Sequence, residues 1–287
     1  MRDFSQGVAQ LSLNTATLRK QLDLPAIVEA CARRGIATIC PWRDQVAAAG
    51  LRNVARQLAQ TGIGLSGYCR GGFFPAADTA GLRAALDDNR RAVDEAKTLG
   101  APCLVLVVGA LPGALSGPPA HKDIGLARAQ VVAGISATLD YARNVGLPLA
   151  IEPLHPMQAA DRACVNTTEH ALDICDALDP DRTGALGVAV DVYHTWWDPK
   201  LAGQIARAGR DRLLAYHVCD WLLPTRDLLN DRGMMGDGIV ELQKIRSWVE
   251  AAGYAGPAEI EIFSERWWRV PADDVLDVCV TRYNTVV

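Results

Sequence analysis

Short apolar segments rich in β-branched residues alternate with longer amphipathic stretches along the chain. The apolar segments have the length of strands, and their nearly continuous hydrophobicity is typical of parallel strands that are covered on both faces. Eight strands are predicted, at residues 8–14, 36–40, 63–68, 102–108, 147–152, 185–191, 213–218 and 257–263. Eight helices are predicted to follow them in alternation, at residues 24–34, 44–61, 78–99, 123–145, 167–178, 199–208, 239–252 and 272–284.

Residues suited to helix termini mark the ends of several of these helices. Aspartate and threonine side chains can accept a hydrogen bond from the first free N–H groups of a helix. The predicted N-caps are Asp44, Asp78, Thr167 and Asp237. Glycine directly after a helix supplies the left-handed turn that ends it. The glycines in this position are Gly35, Gly62, Gly100, Gly146 and Gly253.

Eight strand–helix units in this order predict a (β/α)8 TIM barrel, formed as one domain by residues 1–287. The alternative is a doubly wound open sheet, but a nucleotide-binding sheet of that kind should carry a glycine-rich first turn. The chain has no GxGxxG motif after its first strand and no GxxxxGK[ST] motif. The long connections 109–122 and 219–238 are predicted to be loops on the C-terminal face of the barrel, where long loops commonly act as lids or binding loops.

Composition and charge narrow the expected partners and location. The net charge of −4 argues against a nucleic-acid partner, which usually requires a basic surface. Eight cysteines without a CxxC pair are typical of buried, reduced thiols in a cytosolic protein. The longest apolar run, around Leu104–Val108, is too short to span a bilayer, and the first residues lack the apolar stretch of a signal peptide. We therefore expect a cytoplasmic protein with no membrane or nucleic-acid partner.

Polar residues end four successive predicted strands. Glu152, Asp191, His217 and Glu261 end strands five to eight, and Glu259 is an alternative to Glu261 on the same strand. The active sites of barrels lie at this end of the strands. Because burying several carboxylates together is costly without a compensating cation, the pattern predicts a divalent metal. The oxygen-rich set with one nitrogen favours Mn²⁺, Mg²⁺ or Co²⁺, and Zn²⁺ is also compatible.

Five motifs together resemble a known superfamily. IEPLHP, VDVYHTWWD, YHVCDW, GDG and EIEIFSE are similar to segments of the sugar phosphate isomerase/epimerase superfamily of xylose isomerase-like TIM barrels, which includes ketose 3-epimerases and inosose dehydratases. The resemblance covers nearly the whole chain. It implies one divalent metal ion, with Mn²⁺ preferred over Mg²⁺, Co²⁺ and Zn²⁺. The implied ligands are Glu152, Asp191, His217 and Glu261, and Glu152 and Glu261 also serve as the acid/base pair. It further implies a small carbohydrate substrate and a possible homodimer.

The resemblance also suggests residues that bind the substrate. His194, three residues after Asp191, matches the substrate-binding histidine of ketose epimerases. Their arginine after the seventh strand corresponds to Arg226 or, as the better fit, Arg232. The further substrate-binding candidates are His155, Asp220 and Trp197. His155 and a longer segment after the seventh strand depart from the ketose epimerase pattern.

Three residues near the ends of the early strands are further pocket candidates. Asn14 and Trp42 follow the first two strands, and an aromatic wall suits the apolar face of a sugar. Arg70, in the segment CRGGFF, is predicted either to meet a phosphate or carboxylate or to form a salt bridge within its loop. Without a strong phosphate signature, an unphosphorylated sugar, inositol or keto-sugar is favoured.

The predicted chemistry is removal of a weakly acidic C–H proton beside a carbonyl group. A metal stabilises the resulting enediolate, and carboxylates exchange the proton. The leading hypothesis is therefore a metal-dependent isomerase or epimerase of a small sugar or polyol-like ketone. A dehydratase that expels a hydroxyl from the same enediolate, with His155 or His194 as the acid, is the close alternative. An endonuclease IV-like enzyme is disfavoured by the acidic charge and only five histidines, and a noncatalytic sugar-binding subunit by the two glutamates.

Overall fold

The computed structural model describes residue 8 and residues 10–287, which form a single-domain TIM barrel of parallel strands surrounded by helices. The predicted first strand includes residue 9, which lies outside the described residues. The strands are β1 (Leu11–Asn14), β2 (Thr38–Cys40), β3 (Gly64–Leu65), β4 (Tyr68–Gly72), β5 (Leu104–Val107), β6 (Leu149–Ile151), β7 (Leu186–Asp191), β8 (Leu213–Val218), β9 (Asp220–Trp221), β10 (Arg232–Gly233) and β11 (Ala258–Ile260). The strands β9 and β10 form a separate antiparallel pair.

The barrel closes through its third predicted strand, which is interrupted. This strand consists of β3, which pairs with β2, and β4, which pairs with β5. A bridge between Trp42 and Cys69 joins the two sides of the interruption. The remaining neighbours follow the order β2, β1, β11, β8, β7, β6 and β5, all parallel. The predicted eight-stranded barrel is confirmed, with residues 63–68 corrected from one continuous strand to two short ones.

Ten helices lie within the described part of the chain. They are α1 (Leu24–Arg33), α2 (Arg43–Ala49), α3 (Leu51–Thr61), α4 (Thr79–Leu99), α5 (Ile124–Val145), α6 (Thr168–Leu178), α7 (Val192–Thr195), α8 (Leu201–Arg212), α9 (Leu242–Ala251) and α10 (Ala272–Val286). The prediction of one helix over residues 44–61 is wrong, because the backbone of Gly50 has a φ of 85° and separates α2 from α3.

Two of the four predicted N-caps are correct. The side chains of Asp78 and Thr167 accept hydrogen bonds from the first turns of α4 and α6. Asp44 lies inside the first turn of α2 and does not cap it. Asp237 is also wrong as a cap, because α9 begins only at Leu242. All five glycines predicted to end helices have positive φ, namely Gly35, Gly62, Gly100, Gly146 and Gly253.

The interior of the barrel combines small apolar side chains with thiols. Cys40, Cys69 and Cys103 pack there with alanines and with Val105. All eight cysteines are buried and free of disulfide bonds, as the sequence predicted. None of the helices described here is long and apolar enough to cross a membrane.

Close packing between α5 and the segment after β4 gives a stability prediction. Gly134 lies against the buried ring of Phe74, where an added Cβ would be 2.4 Å from Cδ1. We expect Gly134→Ala to lower the free energy of unfolding by about 1–3 kcal/mol through overpacking. Gly203 of α8 is the matched control, since a Cβ there would meet nothing within 4 Å. Urea denaturation should show a gain of up to about 1 kcal/mol for Gly203→Ala; equal gains in both variants would contradict this packing.

Candidate functional site

Four acidic and imidazole side chains converge at the C-terminal end of the barrel. Glu152 directly follows β6, Asp191 ends β7, His217 lies in β8 and Glu261 directly follows β11. These strands are adjacent in the sheet, and all four side chains are buried. One potential ligand atom from each lies within 4.8 Å of the corresponding atoms of the others. We call this group the acidic cluster.

The spacing within the acidic cluster suits one cation. His217 Nδ1 lies 3.0 Å from Glu152 Oε1 and 3.9 Å from Glu261 Oε2. Ligand atoms that each lie about 2.1 Å from a single ion are about 3.0–4.2 Å from one another. Both separations fall within this range, and no pair of ligand atoms in the cluster is more than 4.8 Å apart. Three carboxylates with one imidazole nitrogen form a donor set that divalent cations accept.

Arg232 compensates part of the negative charge. It reaches the acidic cluster from β10, and its Nη1 donates to Asp191 Oδ2 at 2.8 Å and to Glu261 Oε2 at 2.9 Å. Its guanidinium also lies 4.5 Å from the ring centre of Tyr193. Arg226, the weaker of the two predicted arginines, is exposed and lies outside the pocket.

Glu259 lies on the other side of His217 from the acidic cluster. Its Oε1 is 3.5 Å from His217 Nε2, whereas His217 Nδ1 faces Glu152. Asn14 Nδ2 donates to Glu259 Oε1, and the Ser66 hydroxyl donates to Oε2, each at 2.7 Å. Glu259 is thus hydrogen-bonded where it can orient the imidazole, as carboxylates do behind metal-binding histidines.

The pKa values of the cluster reflect surplus negative charge. Burial raises the pKa of Glu261 to about 8, although Arg232 opposes the shift. Burial lowers the pKa of His217, but the carboxylates of Glu259, Glu152 and Glu261 outweigh it and raise that pKa well above its usual value. Without a metal, the site therefore holds a proton on His217 near neutral pH. A divalent cation can replace that positive charge.

The two candidate histidines differ in their access to the pocket. His194 is buried next to the cluster, with Nε2 3.1 Å from Arg232 Nη2 and 3.7 Å from Asp191 Oδ2. Its Nδ1 accepts the backbone N–H of His155, and burial lowers its pKa to about 3, so the ring is neutral. The His155 ring instead stacks on Trp221 with centroids 4.8 Å apart and lies outside the pocket lining.

Two further predicted substrate-binding residues lie outside the pocket lining. The Asp220 carboxylate is occupied by backbone N–H groups, those of Trp221, Gly236, Gly238 and Val240. It thereby organises the GDG segment and the connection to α9. Trp197 is half-buried and donates its indole N–H to the carbonyl of His194. The structure thus gives both residues positions suited to supporting the loops around the site.

A cavity of about 470 Å³ opens over the acidic cluster. Its lining includes Glu152, His194, Arg232 and Glu261 from the predicted set, together with Trp42. Asn14 does not line it and lies beneath, bonded to Glu259. Sequence reasoning missed several lining residues: Arg19, Arg43, Phe73, Gln158, Arg162, Leu229 and Phe263. Of these, only Phe263 carried a usable signal, two positions after Glu261.

The parallel barrel and the buried acidic cluster at its C-terminal end define a TIM barrel with its polar site at the usual mouth. The chain belongs to the family of xylose isomerase-like TIM barrels, whose model matches residues 28–279.

Three proteins illustrate what this chain is similar to in sequence or in fold. The crystal structure of protein SMc04130 from Sinorhizobium meliloti 1021 is 57% identical, covers 97% of this chain and 98% of its own, and has a TM-score of 0.92. An inosose isomerase from Bacillus velezensis is 24% identical over 75% of this chain and 72% of its own length. A crystal structure of the IOLI protein with a binding zinc atom shares the fold, with 19% identity, coverage of 97% and 98%, and a TM-score of 0.80.

Proposed function

We propose that Glu152, Asp191, His217 and Glu261 hold one divalent metal ion. The observation that carries this proposal is the convergence of four buried potential ligand atoms within 4.8 Å of one another. Mn²⁺ suits the oxygen-rich set, and the zinc atom bound by the IOLI protein supports Zn²⁺ as the principal rival. Mg²⁺ and Co²⁺ are the other ions to be tested.

We further propose that the protein is an isomerase or epimerase of a small sugar or polyol-like ketone. A bound divalent cation supplies electrostatic stabilisation of the enediolate that forms when a proton leaves the carbon beside the carbonyl. Glu152 and Glu261 carry that proton. They follow β6 and β11, which are separated by β7 and β8 in the sheet, so the two carboxylates approach the pocket from different sides.

The surroundings of the two glutamates support these roles. Glu261 lies in the lining of the cavity, where its carboxylate can reach a bound substrate. Glu152 lines the same cavity and accepts from His217. Arg232 and the neutral His194 lie beside them in the lining of the same cavity, where they can contact a substrate.

We also propose a substrate class, a cellular location and an oligomeric state. The family model and the inosose isomerase relative support a single catalytic barrel that acts on a small carbohydrate. We expect it to work in the cytoplasm, without a nucleic-acid or membrane partner, and a homodimer is the assembly to be tested.

Incubation of the Mn²⁺-loaded protein with inososes, ketohexoses and keto-sugars that carry a carboxylate or a phosphate, in D2O, tests the reaction. We expect deuterium at the carbon beside the carbonyl of one substrate, with a product of otherwise unchanged composition. A product lighter by one water would instead support the dehydratase. The latter is disfavoured by the position of His155 outside the pocket lining, which leaves His194 as the available histidine. No deuterium uptake and no product from the whole panel would overturn the proposal.

Glu259 provides a separate test of the metal site. If it orients His217 through Nε2, Glu259→Gln should weaken Mn²⁺ binding by roughly 10–100-fold, as loss of an outer partner usually does. Glu95→Gln is the matched control, because this glutamate also pairs inside the protein but with Arg43 and Tyr68. Calorimetric titration should show near-normal affinity for the control. Unchanged affinity in Glu259→Gln would remove Glu259 from the site.

A further inference from the structure

The cavity over the acidic cluster is rich in arginine. Five arginines line it, together with three carboxylates, those of Asp44, Glu152 and Glu261. A neutral sugar needs hydrogen-bonding groups and an apolar wall but no such accumulation of positive charge. The lining arginines are Arg19, Arg43, Arg70, Arg162 and Arg232.

Carboxylates of the protein neutralise three of these arginines. The ion pairs are Arg19–Asp44, Arg43–Asp88, Arg43–Glu95, Arg232–Asp191 and Arg232–Glu261. These three guanidinium groups therefore already have carboxylate partners. Two of them lie at the sides of the cavity, and one lies at the acidic cluster.

Arg70 has no such partner. Across residue 8 and residues 10–287, no hydrogen bond or ion pair joins its guanidinium to another group. The guanidinium lies 4.0 Å from the ring centre of Phe73 and 6.0 Å from that of Trp42. Stacking on a ring satisfies the face of a guanidinium but leaves its N–H donors free. The salt bridge within the loop, one of the two sequence-based predictions for Arg70, is not formed.

The charge of Arg70 is partly withdrawn from solvent, and no carboxylate of the described residues pairs with it directly. Burial, together with the nearby charges of Arg162 and Arg43, lowers its pKa to about 10 against weaker opposing charges such as that of Asp44, so it remains protonated at neutral pH. Arg162 is itself weakly paired, since its Nε lies 3.8 Å from Asp161, its half-exposed neighbour in sequence. A half-buried cation that lacks a partner is costly, and an anion is the group that would compensate it.

We propose that the substrate carries an anionic group, a carboxylate or a phosphate, which Arg70 binds with the help of Arg162. This inference rests on the proposed function of the acidic cluster, over which the carbonyl end of the same molecule would lie. The cavity of about 470 Å³ has room for a six-carbon molecule with one such group. This proposal differs from the sequence-based preference for an uncharged sugar, which rested on the absence of a phosphate motif.

Binding of three keto-sugars to the Mn²⁺-loaded protein tests this proposal. D-Fructose is the neutral probe, 5-keto-D-gluconate the carboxylate and D-fructose 6-phosphate the phosphate. We expect one anionic probe to bind at least about tenfold tighter than D-fructose, as one charge-assisted hydrogen bond would provide. Arg70→Gln should remove this preference, Arg70→Lys should keep part of it, and Arg162→Gln should give a smaller loss.

Arg52→Gln is the matched control, because it removes one exposed positive charge from α3, outside the cavity. It should bind all three probes like the wild type. The anionic probe that binds more tightly shows whether the anionic group of the substrate is a carboxylate or a phosphate. The proposal is overturned if neither anionic probe binds more tightly than D-fructose, or if the preference survives in Arg70→Gln. Deuterium uptake in D2O is measured separately, so loss of the anion preference and failure of the proposed isomerisation are distinguishable.

Discussion

Replacing either Glu152 or Glu261 with glutamine is expected to abolish exchange of the substrate proton with solvent. Glutamine retains an oxygen that can ligate a metal but has no carboxylate to take up or return a proton. The rate of deuterium incorporation in D2O should therefore fall by on the order of 10²–10⁴-fold for each variant. Because an amide oxygen is a weaker ligand than a carboxylate, exchange is measured at a Mn²⁺ concentration that titration shows to saturate each variant.

Glu265→Gln is the control for both variants. Glu265 follows Glu261 by four residues, but its side chain is 59% exposed, and it pairs with Arg269 at 3.8 Å. Exchange in this variant should match the wild type. Full turnover in Glu152→Gln or Glu261→Gln, with metal retained, would exclude that glutamate as a proton carrier.

Removal of the Asp191 carboxylate is expected to eliminate metal binding. Asp191 is fully buried between β7 and α7, and alanine offers no replacement oxygen. In Asp191→Ala the affinity for Mn²⁺ should fall by more than the roughly 100-fold loss typical of an outer partner. The increase in melting temperature on adding Mn²⁺ should disappear with it, because a ligand stabilises only the state that binds it. Substrate turnover should be lost as well.

Asp78→Ala separates this effect from loss of a helix cap. The Asp191 carboxylate accepts the backbone N–H of Tyr193 at the start of α7, and the Asp78 carboxylate accepts that of Gly81 at the start of α4. Both substitutions should therefore cost about 0.5–2 kcal/mol of stability through the lost cap. Only Asp191→Ala should lose the response to Mn²⁺. An equal response in the two variants would mean that Asp191 acts as a cap alone.

The alternation of apolar segments and amphipathic helices was sufficient to predict the barrel. The predicted helix and strand bounds were wrong where a local backbone feature interrupts a continuous hydrophobic pattern. At Gly50 a positive φ divides a stretch whose amphipathic pattern continues on both sides. Between Leu65 and Tyr68 the third strand changes partner from β2 to β5, which its apolar composition does not reveal.

The acidic cluster was predictable because strand order determines which side chains share the barrel mouth. Glu152, Asp191, His217 and Glu261 each end or closely follow a strand, so spacing along the chain was enough to bring them together. Of the two acidic residues of β11 and its extension, the sequence favoured Glu261 because it lies nearer the C-terminal end of the strand, and Glu261 is the one in the acidic cluster. Glu259 lies in the barrel interior because Asn14 and Ser66 bind it there.

The loop residues were harder to place. Arg162 reaches the cavity from the segment after β6, and Arg43 from the first turn of α2, without any recognisable motif. Conversely, Asp220 lies close in sequence to the predicted ligand His217, but its carboxylate accepts backbone N–H groups of its own loop. The direction of a side chain in an irregular segment depends on tertiary hydrogen bonds, which sequence spacing does not encode.

Anomalous diffraction from crystals soaked in MnCl₂ tests the proposed metal site most directly. We predict one peak per chain, about 2.0–2.6 Å from oxygens of Glu152, Asp191 and Glu261 and from His217 Nδ1. A second group, formed by Cys40, Cys69 and Glu259, also brings potential ligand atoms within 4.8 Å of one another. A peak there instead, or no peak between the four side chains of the acidic cluster, would contradict the proposed site.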